Sequence, residues 1–301
     1  NRLCGSGFES LIQAAQRLKL GEAKMILAGG TESMSQAPHV VRGSRNGFKL
    51  GHGQFTDALK ECLYDPIAGC EMAITAENLG EKYGISREDA DEYGYRSQMA
   101  WVHAHENGYY ANEITPVVIP NRRGDVVVDT DEHPQLSPLQ NPKIKAKFNR
   151  DRMAALRPVF KKDGTVTAAN ASGINDGAAA MVMTTEETAN EKGLTPIGRL
   201  VGYGVAGVDP KFMGIGPVYA IQNALKHAGM TLEQMDIVEI NEAFSTQYIA
   251  CSHSGRIRGK ERVDVRFFSF PRPNLFLVLP LLLSLPLFGN KPSFRLSWPT
   301  P

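Results

Sequence analysis

The chain has 301 residues, 42% hydrophobic and 22% charged, a composition typical of a folded globular protein and unlike a disordered or collagen-like one. Its 33 basic and 32 acidic residues nearly cancel, which gives no general electrostatic case for binding nucleic acid or an anionic membrane. The four cysteines (Cys4, Cys62, Cys70 and Cys251) include no Cys-x-x-Cys pair. This argues against a disulfide scaffold and a structural zinc site, and it favours a reducing compartment.

The first part of the chain predicts a helix followed by a strand. Apolar residues recur at helical spacing over 8–19, which indicates an amphipathic helix. Lys24–Ala28 is a short apolar run that predicts a buried strand closed by Gly29–Gly30. Because Asn1 is not a methionine and leads straight into a glycine-rich turn, we expect a fragment whose amino-terminal part is missing.

Helices and strands alternate along the rest of the body. Two helices are predicted at 70–83 and 87–105, the second capped by Ser86, and a third at Val218–Ala228, capped by Gly229. The alternation predicts an α/β fold. The predicted strands are Asp125–Thr130, Thr165–Ala169, Ala178–Thr184, Leu200–Ala206 and Ile237–Ile240.

The last 50 residues differ from the body. From Ser252 to Pro301 there are eight basic and two acidic residues, and seven of the 18 prolines. The run Leu275–Phe288 is almost all Leu, Pro and Phe, but prolines interrupt it and it is too short to span a membrane. A membrane-touching tail is one interpretation. We favour a disordered tail over 251–301 that was never selected to fold with the rest.

Cys4 is the first candidate for chemistry. It lies in Cys4-Gly5-Ser6-Gly7, directly before the predicted helix, whose free N–H groups and partial positive charge favour a thiolate. We therefore expect a lowered pKa and a covalent nucleophile, the alternative being a small buried cysteine at a tight turn. The other three cysteines lack such a setting and are expected to be buried and structural.

Three further segments carry polar or glycine-rich patterns. Asn241-Glu242-Ala243-Phe244 follows a predicted strand, where an asparagine either orients a water or an oxyanion or caps the next helix. The turn at 170–177 is dense in Gly, Asn and Ser, and either binds a polar ligand or is an ordinary turn. Met213–Pro217 is a glycine-rich start to a helix, too loose for a nucleotide-binding fingerprint.

Together, in this order, these segments closely resemble the thiolase family, similar to 3-ketoacyl-CoA thiolases and acetyl-CoA acetyltransferases alike. The resemblance runs from Asn1 to about Ala250. It rests on the segments Asn1-Arg2-Leu3-Cys4-Gly5-Ser6-Gly7, Gly29-Gly30-Thr31-Glu32-Ser33-Met34-Ser35, Gly164–Gly173, Met213-Gly214-Ile215-Gly216-Pro217 and Asn241-Glu242-Ala243-Phe244.

The resemblance implies a thiolase-like layered αβαβα fold, incomplete here, with an inserted loop domain that covers coenzyme A. Residues 1–34 would end the amino-terminal half, 35–160 would form the loop domain, 161–195 would return to that half, and 196–250 would begin the carboxyl-terminal half. A homodimer or homotetramer is implied for the intact family member. The implied compartment is the bacterial cytoplasm or the mitochondrial matrix.

The resemblance also implies a function and a set of site residues. Acyl-CoA and acetyl-CoA would be converted to 3-ketoacyl-CoA and CoA, or the reverse, as in fatty acid β-oxidation, with no permanently bound cofactor and no metal. Cys4 matches the acylated nucleophile, and Asn241 matches the asparagine that holds a water in an oxyanion site. The implied substrate-binding residues are Met72, Ser172, Met213, Ala243 and Phe244.

Two family motifs do not occur in this sequence. The family places a histidine in Gly-His-Pro and a second cysteine in Cys-x-Gly after the asparagine motif, and neither follows Asn241 here. His253 lies too close to Asn241 to be that histidine. The alternative to an acyltransferase is therefore a catalytically dead fragment that keeps coenzyme A contacts, and we expect no measurable thiolysis by residues 1–301.

Overall fold

The computed structural model describes residues 2–131, 133 and 149–255, and the backbone of 284–285. Within these residues the α-helices are α1 (Ser6–Lys19), α2 (Ala58–Cys62), α3 (Met72–Tyr83), α4 (Arg87–Glu106), α5 (Arg150–Ala154), α6 (Glu186–Glu191), α7 (Gly216–Ala228) and α8 (Ser245–Gly255). The strands are β1 (Met25–Glu32), β2 (His39–Val41), β3 (Phe55–Asp57), β4 (Tyr64–Asp65), β5 (Cys70–Glu71), β6 (Val117–Ile119), β7 (Val126–Val128), β8 (Asp176–Thr184) and β9 (Ser284–Leu285). This mixture of helices and strands confirms the α/β class.

Strand β1 is longer than the sequence predicts. It pairs antiparallel with β8, from Met25 opposite Thr184 to Glu32 opposite Gly177, and α1 packs against both strands. The pair Gly29–Gly30 therefore continues the strand instead of closing it. A Cβ at Gly29 would lie 2.1 Å from the carbonyl oxygen of Ala179, so glycine is what lets the two backbones approach this closely.

The predicted caps at Ser86 and Gly229 are confirmed. Helix α4 begins with a capping box, in which the Ser86 hydroxyl accepts from the Asp89 N–H at 3.0 Å and the Asp89 carboxylate accepts from the Ser86 N–H at 3.2 Å. Helix α7 starts at Gly216 with Pro217 in its first turn and ends at Gly229, whose φ of 66° places it in the left-handed region.

Helices α3, α4, α7 and α8 share one hydrophobic core. Leu79 of α3, Tyr93 of α4, Ile221 of α7 and Tyr248 of α8 are buried there, with Ile215 from the 3₁₀ segment before α7. Burial of each such side chain contributes about 2 kcal/mol to the free energy of unfolding. The core therefore fixes the relative positions of these four helices.

Two predicted strands in the second half are not strands. Thr165–Ala169 is a turn-rich segment because side chains take its backbone donors: Glu77 accepts from the N–H groups of Thr165 and Val166, both at 2.8 Å. Ile237–Ile240 has no regular secondary structure and pairs with no described strand. In the first of these segments, side-chain hydrogen bonds take the place of a strand ladder.

The predicted strand Leu200–Ala206 is also absent, and this segment lies across α7. The Asn223 side-chain amide donates to the Val205 carbonyl at 2.8 Å. A Cβ at Gly204 would stand 2.4 Å from the Ala220 carbonyl oxygen, so the glycine permits close contact with the helix. The segment is held by a helix, not by a neighbouring strand among the described residues.

The first residues of the predicted tail are helical. Cys251 and Ser252 are buried in the last turns of α8, which continues to Gly255, because α8 packs its end into the helical core. The rest of the predicted tail, including most of the Leu275–Phe288 run, lies outside the described residues. None of the described helices combines the length and the apolar character needed to cross a membrane.

Candidate functional site

Cys4 lies in a single 3₁₀ turn, Leu3–Gly5, that leads directly into α1. The turn is closed by the Gly5 N–H donating to the Arg2 carbonyl at 3.0 Å, and the Arg2 N–H donates to the Ser6 hydroxyl at 3.0 Å. A Cβ at Gly30 of β1 would lie 3.5 Å from Gly7 Cα, so the first turn of α1 rests close against β1. The sequence pattern thus places an exposed thiol at the start of a 14-residue helix.

The predicted lowering of the Cys4 pKa is wrong. Loss of water around the sulfur raises the pKa of the Cys4 thiol, its own backbone N–H acts in the opposite direction, and the charge of Cys62 adds to the rise. The residue still keeps enough exposed surface for a reagent to reach it. Desolvation disfavours the thiolate more than the helix start favours it.

The other cysteines divide into two kinds. Cys251 is fully buried in α8, its thiol donates to the Gly214 carbonyl at 3.1 Å, and burial raises its pKa to about 11, which confirms a structural thiol. Cys62 is exposed at the end of α2, and Cys70 is half-buried in β5. The expectation that all three are buried is therefore wrong for Cys62, because α2 is a short helix with no buried residue.

Main-chain pairing joins two of the predicted segments. The Ser172 N–H donates to the Ala243 carbonyl at 2.9 Å, and the Ser245 N–H donates to the Asn170 carbonyl at 2.9 Å. The ring of Phe244 packs against a small apolar cluster formed by Ala73, Ala76 and Val166. The structure therefore brings together Ser172, Ala243 and Phe244. Met72, the first residue of α3, is the chain neighbour of one member of that cluster.

Neither Asn241 nor Met213 takes part in the described main-chain bonds that join these two segments. Asn241 is half-buried and lies in a segment without regular secondary structure. Helix α8 begins only at Ser245, so the alternative interpretation of Asn241 as a helix cap is wrong. Met213 lies in the 3₁₀ segment Pro210–Ile215, and its neighbour Gly214 is bonded to α8 by the Gln247 amide and the Cys251 thiol. No described hydrogen bond or core contact joins Cys4 to Asn241, so their shared site stays a prediction.

Two buried polar residues lie near the junction; the sequence analysis missed Glu77 and named Asn170 only as part of the turn at 170–177. Glu77 is 2% exposed, and its carboxylate accepts from the Thr165 hydroxyl as well as from the two N–H groups given above. Asn170 is 4% exposed and donates to Asp91 and to the Thr165 carbonyl, both at 2.8 Å. A charged residue on the apolar face of α3, beside Ala73, Ala76 and Gly80, was the available signal for Glu77.

The asparagine motif also carries an acid that the sequence analysis did not assign. Glu242 accepts from the Tyr93 hydroxyl and from the Ser97 hydroxyl, both at 2.5 Å. Burial, and to a smaller extent the charge of Glu242, raises the pKa of Glu239 to about 7. Burial, and to a smaller extent the charge of Glu239, raises the pKa of Glu113 to about 7. Among the described residues no group of three His, Cys, Asp or Glu side chains is arranged to hold a metal ion.

Two family profiles match the chain. "Thiolase, N-terminal domain" matches residues 1–187, and "Thiolase, C-terminal domain" matches residues 194–266. The mitochondrial 3-ketoacyl-CoA thiolase of Bos taurus is 47% identical over 255 residues, covering 84% of this chain and 62% of the relative. The chain thus spans less than two thirds of the length of that curated relative.

Solved structures agree with the sequence matches. The crystal structure of the Bacillus anthracis acetyl-CoA acetyltransferase superposes with a TM-score of 0.80 at 44% identity, covering 87% of this chain and 64% of that one. Human mitochondrial 3-ketoacyl-CoA thiolase in complex with CoA gives a TM-score of 0.76 at 45% identity, covering 84% and 61%. The described fold is therefore similar to part of a longer acyl-CoA-processing enzyme.

Proposed function

The chain belongs to the thiolase family, and from this premise we propose that it is an acyltransferase of the thiolase type, acting through a cysteine thioester. Acyl-CoA and acetyl-CoA would give 3-ketoacyl-CoA and CoA, or the reaction would run as thiolytic cleavage. The observation that carries the proposal is the exposed thiol of Cys4 at the start of α1.

In the covalent step the sulfur of Cys4 attacks the thioester carbonyl. A new carbon–sulfur bond forms, the bond to the CoA sulfur breaks, and CoA leaves as a thiol after taking a proton. Because the pKa of Cys4 is raised, a general base is needed to remove its proton before attack. Storing the acyl group on sulfur divides one difficult transfer into two easier ones.

Asn241 is proposed to orient a water or donate directly to the oxyanion that develops on the thioester oxygen. Preorganised donors of this kind are worth about 3 kcal/mol of transition-state stabilisation each. Ser172, Ala243 and Phe244, which share one junction, would bind the pantetheine arm and the thioester end. Met72 would line the acyl pocket, and Met213 would lie near the thioester end.

The proposal also includes the domain architecture and assembly of the family. It includes the five-layered arrangement, a loop domain over 35–160 between the two parts of the amino-terminal half at 1–34 and 161–195, and the start of the carboxyl-terminal half at 196–250. It also includes a dimer or tetramer of the whole protein, a reducing compartment, and a role in fatty acid β-oxidation.

Intact-mass spectrometry of the full chain tests the proposal. Incubation with acetyl-CoA should add one acetyl group, peptide mapping should place it on Cys4, and hydroxylamine should remove it because it is a thioester. Cys4→Ser should abolish the hydroxylamine-sensitive adduct, and Cys62→Ser, a matched change at another exposed thiol, should leave it unchanged. Acetylation of the Cys4→Ser chain to the same extent would exclude Cys4 as the nucleophile.

A second candidate is a thiolase relative that binds CoA thioesters but does not turn them over. The raised pKa of Cys4 favours it. Saturable binding of acetyl-CoA by calorimetry, with no adduct on Cys4 and no cleavage of acetoacetyl-CoA, would identify this candidate.

A further inference from the structure

Backbone pairing holds the chain only after Asn241, from Ala243 onwards. The two main-chain bonds described above involve Ala243 and Ser245, and they anchor the motif to residues 170–172. Nothing in this pairing reaches the two residues before Ala243. A side chain that must hold an oxyanion donor within about 0.5 Å needs support from a second direction.

That support comes from Glu242, the chain neighbour of Asn241. Each of its two carboxylate oxygens accepts one hydroxyl from α4: Oε1 accepts from Tyr93 and Oε2 from Ser97, both at 2.5 Å. Tyr93 and Ser97 are four residues apart and so lie on one face of the helix. Two charge-assisted bonds in fork geometry fix the direction of the carboxylate, even though Glu242 keeps contact with solvent.

The donors are themselves held in place. The ring of Tyr93 is 8% exposed and stacks on Tyr248 of α8, with centroids 4.5 Å apart. The guanidinium of Arg96 lies 4.8 Å above the same ring. Burial and the Glu242 charge raise the pKa of the Tyr93 hydroxyl, so it remains a proton donor at all working pH values.

Helix α4 is packed directly against the junction between these donors. A Cβ at Gly94 would lie 3.1 Å from the Ala169 carbonyl oxygen and 3.2 Å from the Ser245 hydroxyl. Asp91, one turn earlier, accepts from the Asn170 amide at 2.8 Å. The same face of α4 thus contacts both segments of the junction and the acid beside Asn241.

We infer that Glu242, clamped by Tyr93 and Ser97, is a positioning residue that fixes Asn241 for acyl transfer. The inference rests on the proposed function, because it gives Asn241 its role. Glu242 would act through its neighbour Asn241, and α4 would hold Glu242 in place. The clamp is defined by the side chains of Glu242, Tyr93 and Ser97.

The test compares Tyr93→Phe with Tyr95→Phe in the full chain. Tyr93→Phe removes one clamp hydroxyl and keeps the ring stacked on Tyr248. Tyr95→Phe makes the same chemical change two residues along α4, where the ring lies under Arg150 instead. Equal thermal midpoints, within about 4 °C for loss of one hydrogen bond, would show that both variants fold.

Single-turnover acetylation of Cys4 is the first readout. Misplacement of a catalytic donor by about 1 Å costs up to ~100-fold in rate, so Tyr93→Phe should lower the limiting rate about tenfold or more. The half-saturating acetyl-CoA concentration should stay within about twofold, because the clamp does not contact substrate. Glu242→Gln should lose a similar factor, and Tyr95→Phe should match the wild type. A limiting rate in Tyr93→Phe equal to that of Tyr95→Phe overturns the inference.

Hydrogen–deuterium exchange separates the clamp from the proposed function. Peptides covering 240–243 should exchange faster in Tyr93→Phe than in the wild type or Tyr95→Phe, while peptides from α7 should not change. If the wild type forms no adduct, the proposed function fails, and the exchange result alone then decides whether the clamp positions this segment. Identical exchange in all three proteins refutes the clamp whatever the acetylation result.

Discussion

At the scale of single residues, Cys4 shows how two local effects oppose each other. The helix start supplies N–H groups and partial positive charge, and both favour the thiolate. The protein packed around the sulfur removes water, and this raises the pKa of the thiol more than the helix start lowers it. The nearby charge of Cys62 acts in the same direction as burial. An accessible thiol at this position is therefore not an activated one until a base takes its proton.

Alkylation across a pH series measures this balance. Because the pKa of Cys4 is raised, its thiolate fraction is small at pH 7, and its rate with iodoacetamide should still be increasing above pH 9. Cys251, buried and bonded to Gly214, should react only in denaturant. A Cys4 rate that levels off below pH 8 would mean that the helix start dominates and the pKa is lowered.

At the scale of elements, one buried carboxylate joins α3 to the segment that precedes the junction. Glu77 receives three hydrogen bonds from Thr165 and Val166, at 2.8, 2.9 and 2.8 Å. A Cβ at Gly164 would lie 2.3 Å from Glu77 Oε1, so any larger residue there would displace the carboxylate from these hydrogen bonds. Asn170 closes the same segment from its other end. The predicted strand at 165–169 became a turn because these side chains supply its partners.

A pair of substitutions on α3 tests this link. Glu77→Ala leaves the buried N–H of Val166 and the half-buried N–H of Thr165 without acceptors and should lower the free energy of unfolding by about 2–5 kcal/mol. Glu81→Ala, four residues later, removes only an exposed ion pair with Lys161 and should cost less than about 1 kcal/mol. Urea unfolding of both variants gives the values, and equal losses would show that Glu77 is not a structural anchor.

At the scale of the whole molecule, two acids distant in sequence share one environment. Burial and then the charge of Glu239 raise the pKa of Glu113 to about 7, and burial and then the charge of Glu242 raise the pKa of Glu239 to about 7. Both residues hold protons more tightly in the folded state than in the unfolded chain. The stability they contribute is therefore fully present below about pH 4.5 and is lost as the pH rises through about 7.

Thermal unfolding between pH 5 and 8 should show this loss. The thermal midpoint should fall as the pH rises, and Glu239→Gln should flatten the fall because it removes one of the two acids and relieves the other. Glu191→Gln, at an exposed position at the end of α6, should keep the wild-type slope. A slope unchanged in Glu239→Gln would place the pH dependence on other groups.

The patterns that could be predicted from sequence are the local ones. The helix over 8–19, the Ser86 cap and the Gly229 stop follow from spacing, capping chemistry and left-handed glycine, each of which acts within a few residues. The order and wording of the motifs were enough to indicate the family, because each motif is a short run of residues that can be read directly from the sequence. Cys4, Ser172, Ala243 and Phe244 could be selected as candidates on the same grounds.

Tertiary structure decided what depends on partners far along the chain. Whether 165–169 or 200–206 forms a strand depends on which groups satisfy its backbone, and here those are side chains of α3 and α7. The pKa of Cys4 depends on how much water the fold removes, and no local motif reports that. The clamp on Glu242 joins residues about 150 positions apart, since only packing of α4 against α8 brings their hydroxyl and carboxylate groups within hydrogen-bonding distance.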